Sequence, residues 1–198
     1  MTSAAPAPLR RRADAAQNRA ALLRAAEEVF TELGVQAPLD AVSKRAGLGR
    51  ATLFRNFPDR QTLVMALLES AIEQITSESQ RLLGTPDELI QLLHFILDRM
   101  VFRAPLVEYW QTSGRLQPEM QAAIASVMAI FEPVIQRAVA AGRCRADLVS
   151  RDVLPLLAMF SGSLCGCPLE QRDALAARTW VFAMDIVKPA PAQPPIKG

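Results

Sequence analysis

The 198-residue sequence predicts an all-α fold, and three observations carry that prediction. Apolar residues recur at three- and four-residue spacing along most of the chain, the period of helices with one buried face. Glycine and proline punctuate the pattern where helices would start and stop. One late segment, Val153 to Leu164, is apolar on nearly every side, as a helix covered all round must be. No internal repeat is evident.

Residues 1–9 are rich in alanine and proline and read as unstructured. Arg10, Arg11 and Arg12 follow, either as a basic arm for a minor groove or as a solubilising tail. A helix is expected from about Asp14 to Leu33. Leu22, Ala26, Val29, Phe30 and Leu33 share one of its faces; Arg19, Arg24, Glu27, Glu28 and Glu32 take the other; and Gly34 closes it.

Residues 39–60, LDAVSKRAGLGRATLFRNFPDR, read as two short helices around a glycine turn. Gly47 stands where a helix C-terminus calls for positive φ. Leu53 and Phe57, four residues apart, anchor the second helix to a core. Its opposite face carries Arg50, Ala51 and Phe54, flanked by Thr52, Arg55 and Asn56. A helix pinned from behind, with small, polar and cationic groups in front, suits the major groove of DNA.

Asp59 caps a helix expected from Arg60 towards Leu83, and no Gly/Ser- or Pro-rich linker separates it from what precedes. Thr85, Pro86 and Glu88 match the cap, first turn and third position of the next helix, which runs to about Phe102. Ala104-Pro105 is expected to break the chain before a short helix through Val107, Tyr109 and Trp110 and a loop near Gly114. Pro118 opens a helix to Ala141 with a kink at Pro133, and a polar connection precedes two last helices, about 151–162 and 168–187. The expected organisation is an arm (1–13), a three-helix helix-turn-helix domain (14–60), a helical domain (61–188) and a Pro-rich tail (189–198).

Charge is unevenly placed. Residues 1–60 hold 10 Lys+Arg against 6 Asp+Glu, and the remainder 12 against 14, so a basic head sits on a slightly acidic body. That distribution fits a polyanionic partner at one end. Cys144, Cys165 and Cys167 lack zinc-site spacing, and His94 is the lone histidine, so buried thiols are expected rather than a metal centre. No cofactor is expected. With one histidine, scattered carboxylates and no nucleophile or phosphate-loop motif, an enzyme is not expected. The uncharged run Val153–Leu169 is short and broken by Pro and Gly, and no signal peptide is seen, so a cytoplasmic protein is expected.

Three segments in fixed order, RAALLRAAEEVFTELG, VSKRAGL and TLFRNFPDRQTL, resemble the DNA-binding domain of TetR-family transcriptional regulators, from about Arg19 to Leu63. The resemblance implies that Arg50, Ala51 and Phe54 approach bases and that Thr52, Asn56 and Arg60 touch phosphates or bases nearby. Phe54 stands where the family has a tyrosine, which removes a hydroxyl. With Lys44 and Arg55 gripping phosphates, Arg50 is the candidate for bidentate contact with guanine. One reading helix covers only a few base pairs, so a homodimer on a near-palindromic operator is expected, with repression relieved by a small, largely apolar effector as the expected outcome. The final two helices would form the dimer through Leu156, Met159, Phe160, Leu164, Trp180, Val181 and Met184; the alternative is a central helix in a monomer. His94, Phe95, Arg99, Tyr109, Trp110, Met128 and Phe131, with Met100, are the candidates for an effector pocket, or else plain core. A helical protein-binding adaptor is the other function class.

Overall fold

The structure is a computed structural model that describes residues 7–112, 118–164 and 166–189, with the side chains of 7–13, 102, 104, 105, 107, 108, 111, 112 and 169 excepted. The tail 189–198 beyond Pro189, the loop at Gly114 and Cys165 lie outside the described residues. Among those residues every regular element is helical: α1 (Ala7–Leu33), α2 (Leu39–Arg45), α3 (Arg50–Asn56), α4 (Arg60–Leu82), α5 (Glu88–Thr112), α6 (Pro118–Ala140), α7 (Val153–Leu164) and α8 (Leu169–Val187). The chain divides into two compact units, residues 1–70 and 71–198.

In the first unit, the buried face of α1 supplies Leu22, Ala25, Ala26, Val29 and Phe30. Val35 and Ala37 of the α1–α2 connection, Val42 of α2, Leu53 and Phe57 at α3, and Leu63, Val64, Ala66 and Leu67 of α4 add to this buried set. Leu48, in the turn between α2 and α3, is half-buried. Outside the core, Arg45 ties α2 to α1 through Glu28 at 3.0 Å and Glu32 at 2.7 Å. One expectation is corrected here. Residues 7–13, taken for part of an unstructured arm, are the first turns of α1. Alanine and arginine are strong helix formers, and Pro8 falls in the first turn, where its missing N–H has no intrahelical acceptor to lose.

In the second unit, α5 packs on α6, α7 and α8, and α7 packs on α8. Leu92, Leu93, Phe131, Val134, Phe160, Leu164 and Ala183 are among the residues at the centre of one apolar cluster. The connection after α6 is tied to the end of α8 by Arg145 N–H donating to Val187 O at 3.0 Å. α6 is long and apolar enough to cross a membrane by length and composition, yet Phe131, Val134 and Ile135 lie buried in this cluster.

Two helix boundaries in this unit differ from the sequence reading. Thr85 does not cap α5: its hydroxyl donates back to Leu82 O at 2.7 Å, and the first intrahelical bond runs from Gln91 N–H to Asp87 O. Glu88 instead receives both Arg137 Nε (2.9 Å) and Arg137 Nη2 (2.5 Å) from α6. Nor does Pro105 break the chain, because α5 runs through it from Glu88 to Thr112. A proline within a helix leaves the carbonyl four residues earlier without its donor. Here that carbonyl is Val101 O, and Arg172 of α8 supplies the missing donor through Nη1 at 3.3 Å while its Nε holds Cys167 O at 3.1 Å.

Candidate nucleic-acid interface

The turn between α2 and α3 is built by its glycine. Gly47 has φ +66°, its N–H reaches Lys44 O at 3.1 Å, and Leu48 N–H reaches Ser43 O at 3.0 Å. This paired arrangement is the Schellman end of a helix, and it satisfies carbonyls that α2 would otherwise leave open. Gly49 then accepts from Thr52 N–H at 2.9 Å and begins α3. Behind α3, Leu53 and Phe57 are fully buried. Arg19 of α1 lies 4.6 Å over the Phe57 ring, so a cation that sequence reading set on the polar face of α1 also covers the anchor.

The front of α3 is less uniform than the helical pattern suggests. Arg50 and Ala51 are exposed at its start, whereas Thr52, Phe54 and Asn56 are half-buried. The Arg50 side chain is 69% exposed; its Nη1 meets Asp40 Oδ2 at 3.2 Å and its guanidinium sits 5.4 Å from the centre of the Phe54 ring. Arg55, also exposed, folds along its own helix, with Nε on Ala51 O and Nη2 on Thr52 Oγ1, both at 3.2 Å. Asn56 Nδ2 donates to Thr52 O at 2.8 Å. Lys44 is exposed on α2.

Arg60, expected at a phosphate or a base nearby, is engaged within the fold: its guanidinium donates to Val35 O, to Ala37 O at 2.8 Å and to Gln36 O at 3.5 Å, and lies 5.8 Å from the Phe30 ring centre. The α1–α2 connection has three carbonyls without helical donors, and a forked cation at the start of α4 satisfies them. Beside it, Asp59 caps α4 by accepting Thr62 N–H at 2.7 Å and the Thr62 hydroxyl at 2.8 Å, which holds its carboxyl below the usual range.

A profile of bacterial regulatory proteins of the tetR family matches residues 22–67, the segment that contains this helix pair. Solved structures extend the likeness across both units. A TetR transcription regulatory protein from Mycobacterium vanbaalenii is 27% identical, with a TM-score of 0.63 over 85% of this chain and 96% of its own. Residues 22–67 thus carry a tetR-family DNA-binding domain. A TetR transcriptional regulator from Streptomyces coelicolor is 25% identical over 87% of this chain and 99% of its own, with a TM-score of 0.62. A third structure, the TetR-family protein CprB from Streptomyces coelicolor, is 19% identical and shares the fold, with a TM-score of 0.65 over 89% and 91% of the two chains. The tetR-family domain and the regulator fold together support a DNA-binding transcriptional regulator.

In the second unit, the residues expected to line a pocket are scattered. Phe131 is fully buried in the apolar cluster, where Met100 also lies, and Phe95, Tyr109, Trp110 and Met128 are half-buried. His94 is exposed on α5, 3.0 Å from Asp98 and edge-on to Trp180 at 4.9 Å. Arg99 is exposed too, donating to Gln74 Oε1 at 2.7 Å and lying 4.7 Å over Phe95. A surface cleft of about 610 Å³ bounded by Arg145, Arg151, Pro155, Met159 and Ile186 takes none of them. Phe131 and Met100 thus lie in the core, whereas His94 and Arg99 face solvent beside Asp98 and Gln74.

The dimer candidates divide similarly. Leu156, Phe160, Leu164 and Met184 are buried within the single chain, and Met159 and Trp180 are half-buried. Val181 is exposed, as are Leu175, Phe182 and Ile186 on the same helix, of which the sequence pattern had not singled out Phe182 and Ile186. Their seven- and four-residue spacing is the signal that marks them as one stripe.

Proposed function

We propose that this regulator is a homodimeric, cytoplasmic repressor that reads a near-palindromic operator with α3 and leaves it when a small, largely apolar effector binds the second unit. One observation carries the DNA-reading part. Arg50 projects 69% exposed from the first residue of a helix whose opposite side is locked by the fully buried Leu53 and Phe57. A rigidly mounted guanidinium is suited to guanine O6 and N7, and such a contact is worth about 1–3 kcal/mol of base discrimination. Ala51 and Phe54 offer apolar contact to a thymine methyl, while Lys44, Arg55, Thr52 and Asn56 are the phosphate-side groups. Arg60 acts from behind, by holding the α1–α2 connection.

One helix pair covers a few base pairs, so two copies are needed for a site of useful length. The exposed apolar stripe of α8 supports self-association, because residues such as Phe182 and Ile186 are costly to leave in water. For the effector, support comes from Trp110, whose Nε1 is buried and has no hydrogen-bond partner among the described residues. A ligand with an apolar body and one acceptor group would satisfy it. The effector then releases DNA to the extent that it binds the DNA-incompetent arrangement more tightly.

The test is selection of duplexes from a random pool, followed by anisotropy titrations of the parent and Arg50→Ala at fixed salt. The parent should prefer a two-fold-related site. Arg50→Ala should lose about 5- to 150-fold in preference at one base pair per half-site, with a smaller change on unrelated DNA. A parent that binds every duplex equally at physiological ionic strength refutes the reading.

A further inference from the structure

We infer that Asp40 is a positioning residue for base readout: it holds Arg50 by one end of the guanidinium, leaving the Nε–Nη2 edge to meet a guanine. This inference rests on the DNA-reading role proposed above and adds the residue that tunes it. Asp40 is the second residue of α2 and Arg50 the first of α3, so the Schellman turn at Gly47 sets their meeting. The Asp40 Oδ2–Arg50 Nη1 separation is 3.2 Å, and the Phe54 ring centre lies 5.4 Å from the guanidinium carbon.

A carboxylate on one side and an aromatic face on another restrict a side chain that otherwise samples many rotamers. Asp40 occupies Nη1. Among the described residues neither Nε nor Nη2 of Arg50 has a partner, and those two N–H groups lie side by side, parallel, as the O6 and N7 of guanine require. Ordering this fork before DNA arrives removes part of the entropy cost of contact.

The same carboxylate is a negative charge placed beside a polyanion. Asp40 therefore acts in two opposed directions: it sharpens the choice of base through Arg50, and it weakens attraction to any duplex. A residue that merely supported the fold would affect both in the same sense. A pair that only kept Arg50 away from DNA would, on removal, improve cognate binding more than non-cognate binding.

The experiment uses the full chain and the site it selects from a random duplex pool, together with a copy altered at the guanine to which Arg50→Ala is indifferent. Anisotropy titrations compare the parent, Asp40→Ala, Asp40→Asn, Arg50→Ala and the Asp40→Ala/Arg50→Ala double variant, each checked for unaltered thermal unfolding. Asp40→Ala should lower the ratio of affinities for the two duplexes by about two- to fivefold, the scale of an exposed ion pair. It should also raise affinity for unrelated DNA by a similar factor at low salt. Asp40→Asn keeps an acceptor oxygen and should restore part of the ratio, and in the Arg50→Ala background the change at position 40 should leave the ratio alone. An unchanged ratio in Asp40→Ala, or an equal fall without Arg50, overturns the inference while leaving the DNA-reading role intact. A parent that selects no sequence removes both.

Discussion

The most demanding prediction concerns Phe182. This side chain lies on the exposed stripe of α8 with Leu175 and Ile186, is 48% exposed, and has the Arg178 guanidinium 4.6 Å over its ring. A phenylalanine presents on the order of 200 Å² in all, so roughly 100 Å² of Phe182 is open to burial by a partner. At about 25 cal/mol per Å² that is about 2.5 kcal/mol. A two-fold axis counts the residue twice, about 5 kcal/mol per dimer. Ordering and imperfect desolvation consume part of this, so Phe182→Asp should weaken the dimer by about 3 kcal/mol, roughly a hundredfold in dissociation constant. The assay is sedimentation equilibrium across a concentration series, with circular dichroism as the folding control. Because the residue is exposed in the single chain, the helical signal should persist and thermal unfolding of the monomer should shift little. Operator binding should weaken and become steeper in protein concentration. A variant whose dimer dissociates within threefold of the parent would refute the reasoning, as would a parent that is monomeric at micromolar concentration.

Arg137→Ala leaves the Glu88 carboxylate, whose side chain is only 6% exposed, without its forked partner. Because Arg137 itself is half-exposed, the cost in urea unfolding should be about 2 kcal/mol, below that of a fully buried pair. Arg60→Ala removes donors to three carbonyls and should destabilise the first unit by about 2 kcal/mol in the same assay. Gly47→Ala meets no atom within 4 Å of its new Cβ, so its cost should be the backbone strain of φ +66° alone, about 1 kcal/mol in thermal unfolding. For acid, Glu32 is held below its ordinary value of 4.5 by the hydrogen bond from Arg45, and Asp147 below 3.8 by that from Arg145. Their folded pKa values are depressed, so their contribution is complete above about pH 4.5 and is lost as pH falls through the folded values. Urea midpoints should therefore stay level from pH 7 to 5 as far as these two groups govern them, and decline below about 4.5; a rise on acidification would contradict that assignment.

Local features were legible because short segments encode them. The turn at Gly47, the anchors Leu53 and Phe57 and the Asp59 cap each depend on residues within a few positions of one another. Helical period alone placed most helix ends within a residue or two. It failed at Pro105, where the donor that keeps α5 continuous comes from Arg172, 67 positions on in the chain. It failed again at Thr85, where the hydroxyl found a carbonyl behind it instead of the helix ahead.

Residue type and spacing thus determined most of the helices and the helix-turn-helix pair by themselves, because capping, turn geometry and amphipathic period are properties of neighbouring residues. Tertiary structure decided what each charged side chain does. Arg60 closes on Val35 and Ala37, Arg50 meets Asp40, and Arg45 spans to Glu28 and Glu32, since long cationic stems settle wherever packing leaves an acceptor within reach. It also decided that Phe160 and Leu164 belong to the interior while Phe182 and Ile186 face outward. A helix apolar on most sides does not itself specify which side its neighbours will cover.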